Sequence, residues 1–442
     1  MSSGFPVLTE AAHVWARRWL TLAVSAVAIS GVFAILIALA RVPAVGMLFP
    51  GAEFYRVALV LHVNLSQGVW FMAFSCVLWS VYSACKHEAI ERMALFMAAV
   101  GTAGLVLSVS AGDVRPLMSN YLPVLDGKLF LSALVLFGIG VLFKALTALP
   151  VLDWRVLCGR GGVMQRALLN LSVVASLLVF VLLVFTLFSM PAEVGMPFFE
   201  TLFWGAGHLW QFALLTLLMF SWLHLVDRRE GLPASMVRLA VAMTLIPVVL
   251  SLTIPFVYPP GSAGSNYLYT WLMVWTSWEA PLLLGCLILL RIPRLLWAPG
   301  FALSLLLFVA GLLIGSQIDG QTTLVTAHYH GTIGAVTLAF MALSFRLLPV
   351  LGLASVSTKH VRWQLGFYGY GILLMMAGLA GAGLMGAPRK TPGDLALTFG
   401  VETFSRICLG IGGLCATIGI LMFACLLLRR LCSPARVEAY SL

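Results

Sequence analysis

Long apolar runs, separated by short polar segments, follow one another along almost the whole chain. Twelve of these runs are about 20 residues or longer, which is the length that crosses the hydrocarbon core of a membrane as a helix. They lie at about 20–40, 57–84, 93–112, 128–149, 167–190, 201–226, 235–256, 266–290, 296–315, 322–348, 364–387 and 397–428. The pattern predicts an all-α polytopic membrane protein, a bundle of twelve transmembrane helices in which residues 1–442 form a single integral membrane domain.

The composition agrees with this pattern. Hydrophobic residues make up 61% of the 442 residues and charged residues only 10%, and the mean hydropathy is +1.04. Soluble domains average about 45–50% apolar and about 25% charged residues. The composition therefore excludes a soluble enzyme, a nucleic-acid-binding protein and a disulfide scaffold. Membrane lipid is the expected surrounding, and no nucleic acid is expected as a partner.

Basic residues divide unequally between the two sides of the membrane that an even number of spans defines. Of the 26 lysines and arginines, eighteen fall in segments on the side of the termini and six on the opposite side. Lys and Arg are enriched on the cytoplasmic side of membrane proteins. We therefore expect both termini to be cytoplasmic, and we read most of the net charge of +10 as a sign of topology.

Four histidines lie at one predicted depth, near the outer third of the membrane: His62, His208, His328 and His330. Ionisable side chains inside a membrane are costly and indicate function by default, and imidazole is a common metal ligand. On a helix, positions i and i+2 point about 200° apart, so His328 and His330 face opposite sides of their span. The alternative is a set of buried histidines that bond neighbouring helices. The remaining four, which are His13, His87, His224 and His360, are expected to be solvated or interfacial.

Four segments resemble subunit I of the haem–copper oxidase and nitric oxide reductase superfamily. They read HVNLSQGVWFMAF from His62, FWGAGHLWQF from Phe203, AHYHGTIGAVTLAFM from Ala327 and SNYLPVLDGKLF from Ser119. The resemblance implies a bundle of the cytochrome c oxidase subunit I type in a prokaryotic plasma (inner) membrane. It further implies two haems of the b type, a low-spin haem with His62 and His330 as axial ligands and a high-spin haem with His328 as proximal ligand. His208 takes the position of the first ligand of the family's non-haem metal.

Arg389 and Lys390 match adjacent basic residues that pair with haem propionates in this superfamily. They supply two of the six basic residues on the predicted outer side. Cations there would compensate two carboxylates in a low-dielectric setting. The other interpretation is a solvated pair in a loop.

The non-haem metal site departs from the family pattern. That pattern has two adjacent histidines near the outer end of span 7, but the chain contains no such pair, and residues 254–260 read IPFVYPP. Four residues after His208, where oxidases of the commonest type have tyrosine and nitric oxide reductases have glutamate, the chain has Phe212. Metal sites of this kind use three or more protein ligands. We therefore expect an altered or absent non-haem metal, and no copper site of the usual kind.

Glu279 lies about thirteen residues into span 8, which places an acid near mid-membrane. Three interpretations stay open. Glu279 is a proton donor, or a ligand or neighbour of a remodelled metal beside His208, or a protonated structural carboxyl held by hydrogen bonds.

These observations favour a haem-containing membrane oxidoreductase subunit, terminal oxidase-like or nitric oxide reductase-like, that passes electrons from the low-spin to the high-spin haem. Its expected partners are a small gaseous ligand, NO or O2, and an electron donor, either a cytochrome c or a cupredoxin-like subunit. Two alternatives remain. One is a non-catalytic di-haem protein that relays electrons or senses a gas. The other is a twelve-helix transporter whose histidines bind substrate or protons.

Overall fold

A computed structural model describes residues 5–40, 51–83, 87–110, 115–149, 164–190, 195–225, 234–294, 298–389 and 399–433. Helices dominate these ranges. In chain order they are α1 (Glu10–Ala40), α2 (Gly51–Val63), a π-helix (Asn64–Val69), α3 (Trp70–Tyr82), α4 (Glu88–Leu107), a 3-10 turn (Ser108–Ser110), α5 (Lys128–Ala148), α6 (Met164–Ser189), α7 (Met196–Leu225), α8 (Ala234–Val257), α9 (Ala263–Thr276), α10 (Glu279–Arg291), α11 (Pro299–Gly315), α12 (Thr323–Val350), α13 (Thr358–Leu384) and α14 (Phe399–Leu431). A short antiparallel hairpin, β1 (Arg115–Leu117) and β2 (Val124–Asp126), precedes α5.

The chain divides into two compact units, one formed by Met1–Trp70 with Arg294–Leu442 and the other by Phe71–Pro293. In the first unit α13 packs along α14, with small residues at the crossing. A Cβ on Gly378 would lie 2.6 Å from the carbonyl oxygen of Ser405, and a Cβ on Gly419 would lie 2.5 Å from the amide nitrogen of Tyr368. Such close approach of two backbones is the usual way in which helices associate in a membrane, where apolar burial gives little drive.

In the second unit α4 packs along α5 in the same manner. A Cβ on Gly101 would lie 2.5 Å from the amide nitrogen of Phe137, and a Cβ on Gly140 would lie 2.5 Å from the carbonyl oxygen of Ala94. Between these helices Lys144 Nζ lies 2.6 Å from Glu91 Oε1, and both side chains are almost fully buried. Each charge therefore neutralises the other at a depth where neither could remain alone.

The helices confirm the predicted multi-pass architecture. Among the described residues, eleven helices are long and apolar enough to cross a membrane, and α11, at 17 residues, is a shorter apolar helix at the predicted span 296–315. The prediction of one domain over residues 1–442 stays a prediction.

Two predicted spans differ in detail. The first begins at Glu10 rather than near residue 20, since Arg17 stays inside α1 and donates from Nε to the carbonyl oxygen of Leu351 at 2.8 Å. The eighth is broken between Thr276 and Glu279. Pro281 explains the break, because it has no N–H to bond the carbonyl of the residue four positions earlier and its ring crowds that carbonyl.

Candidate functional site

His62 lies one residue before the end of α2, where the helix widens into the π-helix. Its Nδ1 lies 3.0 Å from the carbonyl oxygen of Ser30 on α1 and 3.0 Å from the Ser30 hydroxyl. The carbonyl oxygen of His62 accepts from the hydroxyls of Ser30 at 3.0 Å and Ser66 at 2.6 Å. Helix α1 thus fixes the orientation of this imidazole. Single π-turns within α-helices occur frequently at functional sites.

His328 is held by the neighbouring helix α11. Its Nδ1 lies 2.8 Å from the carbonyl oxygen of Gly311. The ring packs so closely on Gly315 that a Cβ at that position would lie 2.5 Å from Nδ1. A Cβ on Gly331 would lie 2.6 Å from Gly311 Cα, so the two helices cross backbone to backbone just below the ring. Two glycines on α11 therefore make the space and supply the acceptor for this histidine.

His330 has a different anchor, although it is only two residues away. Its Nδ1 lies 2.7 Å from the carbonyl oxygen of Thr326 in its own helix. Its ring stacks on that of Tyr329, with centroids 4.8 Å apart. One imidazole of the pair is thus tied to α11 and the other to α12, as expected for side chains that leave a helix in nearly opposite directions.

The three histidines of the first unit share one feature of metal-binding imidazoles. A carbonyl oxygen is only an acceptor, so the Nδ1 that faces it carries the proton and the lone pair resides on Nε2. Metal-ligating histidines almost always donate the other ring N–H to a carbonyl or carboxylate, which fixes the tautomer and orients the ring. His62, His328 and His330 therefore have the chemistry of imidazoles that would hold a haem, and His208 and His224 make the same kind of bond.

His208 lies in the second unit, on α7, within an aromatic enclosure. Its Nδ1 lies 2.8 Å from the carbonyl oxygen of Trp204. The centroid of its ring is 4.8 Å from that of Tyr121, 5.1 Å from that of Trp204 and 5.6 Å from that of Tyr269. The imidazole is 3% exposed. Apolar and aromatic surfaces thus keep water away from this residue.

The glycines beside His208 admit the two tyrosines. A Cβ on Gly205 would lie 2.7 Å from Tyr269 Cζ, and a Cβ on Gly207 would collide with the ring of Tyr121. Because Gly205 and Gly207 have no side chains, the segment Trp204-Gly205-Ala206-Gly207-His208 leaves two notches in the surface of α7, one for each phenol ring. The histidine of this segment could be found from the sequence, but its contacts with the two tyrosines could not, because the tyrosines come from the hairpin loop and from α9.

Tyr121 belongs to the loop between β1 and β2, which is fastened to α7 by Glu200. The carboxylate of Glu200 accepts from the backbone N–H of Asn120 at 2.7 Å and also from the Asn120 amide group. Burial, reinforced by the charge of Glu200, raises the pKa of the Tyr121 phenol well above its usual value, although a hydrogen bond with Gln211 opposes the shift. Tyr121 is therefore a neutral phenol beside His208 at ordinary pH.

The surroundings of His208 do not match a three-ligand metal site. Among the residues that the structure describes, no three His, Cys, Asp or Glu side chains come together as metal ligands would. Copper and iron sites of this kind need such a set. The described neighbours of His208 are aromatic rings, so these residues do not fit the family's non-haem metal.

Glu279 is the first residue of α10, at the break in the eighth span. Its side chain is partly exposed. In the described part of the chain it makes no hydrogen bond or ring contact with His208, so the expectation of a carboxylate beside that histidine is not supported by a contact.

Arg389 lies beside the start of α12, which carries His328 and His330. Its backbone N–H donates to the carbonyl oxygen of Gln321 at 3.2 Å, and the preceding Pro388 forms a β-bridge with Thr322. Gln321 precedes His328 by seven residues, a rise of about 10 Å along a helix. The loop after α13 is therefore joined to the end of α12 nearest the histidines. Lys390 lies outside the described residues.

His224 lies one residue before the end of α7 but is not solvated. It is 4% exposed, and its Nε2 lies 2.7 Å from the hydroxyl of Tyr82. Its Nδ1 lies 2.9 Å from the carbonyl oxygen of Phe220. Both ring nitrogens thus have a partner within the protein, which is the arrangement of a structural histidine.

The chain has the fold of a terminal oxidase chain. Over 97% of its length it superimposes on 85% of a chain in the cryo-EM structure of a heme-copper terminal oxidase dimer, with a TM-score of 0.73 and 18% sequence identity. The predicted class, a multi-pass all-α bundle of the cytochrome oxidase subunit I type, is confirmed.

Sequence relatives identify the family to which the chain belongs. The chain is 32% identical to an uncharacterized protein of Aquifex aeolicus (strain VF5) over 340 residues, which are 76% of this chain and 84% of that protein. It belongs to the same family as that protein. An uncharacterized protein of Rickettsia prowazekii (strain Madrid E) is 24% identical over 499 aligned positions, 92% of this chain and 94% of its own length. No established family model matches the chain.

Proposed function

We propose that this protein is a haem-binding oxidoreductase subunit of a bacterial plasma membrane. The observation that carries the proposal is the anchoring of His62 and His328, each with Nδ1 at 2.8–3.0 Å from a carbonyl oxygen on a neighbouring helix. That arrangement presents Nε2 to a metal and holds the ring in one orientation. His62 and His330 would hold a low-spin haem of the b type, and His328 would hold a high-spin haem.

The haems would supply reversible one-electron chemistry and, at the high-spin centre, an open coordination position for NO or O2. The residues of this chain bind and orient them. Ser30 fixes the plane of the His62 ring, and the glycines of α11 fix that of His328. Arg389, with Lys390, would compensate the charge of the propionates. An electron donor of the cytochrome c or cupredoxin-like type would deliver electrons on the outer side, with both termini of this chain in the cytoplasm.

The proposal also assigns roles to two polar residues of the second unit, His208 and Glu279. His208, enclosed by Tyr121, Trp204 and Tyr269, offers a neutral imidazole in water-poor surroundings. Glu279 offers a carboxyl at an interruption of the eighth span. We propose a proton donor role for Glu279 and no metal ligand set around His208.

Optical spectra of the purified protein test the assignment. We expect a reduced-minus-oxidised spectrum with two haem b signals, of which one shifts with CO. His330→Ala and His62→Ala should each remove the low-spin signal alone, and His328→Ala should remove the CO-sensitive signal alone. His224→Ala is the control, because both ring nitrogens of His224 are bonded within the protein. Loss of neither signal in the His328 and His330 variants would refute the ligand assignment.

A transporter is the second candidate, and the broken eighth span is the observation that favours it. Transporters build binding sites from discontinuous helices near mid-membrane, and α9 and α10 end and begin at such a break, with Glu279 on it. A purified protein that contains no haem would favour this function. Binding of a solute that Glu279→Gln abolishes would then support it directly.

A further inference from the structure

A small, half-open cleft lies in the second unit, next to His224, which its lining residue Tyr82 contacts. It is lined by Trp79, Tyr82, Ser83, Ala148, Arg166, Leu169, Asn170 and Val173. Three helix ends meet there, because α3 ends at Tyr82, α5 ends at Ala148 and α6 begins at Met164. The ends of membrane-spanning helices lie at the level of the lipid headgroups, where tryptophan and tyrosine are also enriched. The cleft therefore lies at the membrane interface.

Polar and apolar residues divide the cleft into two parts. Arg166, Ser83 and Tyr82 lie at the helix ends, whereas Val173 lies seven residues further along α6, about 10 Å deeper. Leu169 and Val173 give the deeper part apolar surface, and Asn170 adds one amide between them. A ligand that fits this lining has a polar headgroup above and an apolar body below.

The positive charge of Arg166 indicates that the headgroup is anionic. No carboxylate of the described residues lies within ion-pair distance of its guanidinium. The nearby acid Glu91 is committed to Lys144 and accepts a second bond from Thr147, the neighbour of Ala148 in the lining. None of the eight lining residues is acidic. A guanidinium binds phosphate oxygens well, and an ammonium group would find no counter-charge among these eight lining residues.

We propose that this cleft binds the phosphate of an anionic glycerophospholipid, with Arg166 as its counter-ion. The glycerol and the first methylene groups of the acyl chains lie against Leu169 and Val173. Basic pockets between transmembrane helices bind anionic lipid headgroups by this combination of charge and apolar contact. The apolar part of the cleft is the reason to favour a lipid over free phosphate, which would leave that surface unused.

Native mass spectrometry of the full chain in detergent can count the bound lipid and measure its affinity. The probes are phosphatidylglycerol, phosphatidylcholine and inorganic phosphate at equal concentrations. We expect phosphatidylglycerol to bind with the highest affinity and Arg166→Gln to weaken it about tenfold or more, as expected for loss of a charge-assisted hydrogen bond. Arg238→Gln is the matched control, since Arg238 is an exposed arginine near the start of α8 in the same unit. It should change the affinity less than about twofold.

A second variant tests the contribution of the cleft apart from the charge of Arg166. Ala148→Phe keeps Arg166 but fills part of the cleft at the same level, and we expect the same loss of phosphatidylglycerol. Size-exclusion elution and helical content of each variant verify that it is folded. Unchanged lipid affinity in both variants would overturn the proposal. So would an equal loss in Arg238→Gln, which would indicate general surface charge, or equal binding of inorganic phosphate, which would exclude a lipid site.

Discussion

Gly315→Ala should displace His328 without touching any other proposed ligand. A Cβ at position 315 would lie 2.5 Å from His328 Nδ1 and 2.9 Å from its Cε1, whereas ordinary contact begins at 3.4 Å. The imidazole must therefore retreat by the difference, about 0.9 Å. A retreat of that size would stretch the bond from Nδ1 to the Gly311 carbonyl, now 2.8 Å, to at most about 3.7 Å, beyond hydrogen-bond range.

Loss of such an outer-shell bond lowers metal affinity by about 10- to 100-fold. The assay is the CO difference spectrum together with haem content after gel filtration. We expect Gly315→Ala to lose most of the CO-sensitive signal and to keep the low-spin signal. Gly410→Ala is the control, because a Cβ there would meet nothing within 4 Å. A Gly315→Ala protein with the full CO response, or one that loses both signals together, would refute the reasoning.

Three further predictions concern the second unit. Glu91→Gln should strand Lys144 as an unpaired buried charge and lower the unfolding free energy by about 3–5 kcal/mol, measured by denaturant unfolding in detergent. Addition of Lys144→Met should restore most of the lost unfolding free energy. As a control, Glu88→Gln, which removes an exposed ion pair, should lower the unfolding free energy by less than about 1 kcal/mol. Because folding raises the pKa of Tyr121, its stabilising contribution is complete below the unfolded pKa of about 10 and is lost as the pH rises above it. Thermal midpoints should therefore fall less steeply above that pH in Tyr121→Phe than in the native protein. Gly207→Ala should push Tyr121 out of its notch and destabilise the protein by about 1–3 kcal/mol, and a thermal midpoint equal to that of the native protein would contradict the packing.

The sequence was a good guide to helices because a membrane leaves few options. Backbone groups in lipid must be bonded internally, so a long apolar run becomes a helix. It was a poor guide to interruptions and ends. Nothing in the run from residue 57 to 84 marks the π-helix at Asn64–Val69, and Arg17 lies inside α1 because a distant carbonyl, that of Leu351, accepts from it.

The candidate site was likewise predictable from the sequence only in part. Histidines could be found from the sequence because ionisable residues are rare in apolar runs. Their partners could not, because Ser30, Gly311 and Tyr121 are ordinary residue types whose roles depend on which helices pack together. Gly205 and Gly207 held a readable signal, since small residues that alternate beside a polar one indicate close approach, but the pattern does not say what approaches.

The anchoring bonds also separate the histidines from one another. His208, His224 and His330 each bond the carbonyl four residues back, an acceptor within reach of a histidine in any helix. His224 does so and is structural, since Tyr82 bonds its Nε2. His62 and His328 instead reach carbonyls on neighbouring helices. Those bonds form only when two helices pack in one particular alignment. They are therefore evidence of a preorganised site, whereas an intrahelical bond is not. The proposal for His330 therefore depends more on the resemblance of its segment, and the His330→Ala spectrum is the most informative of the ligand variants.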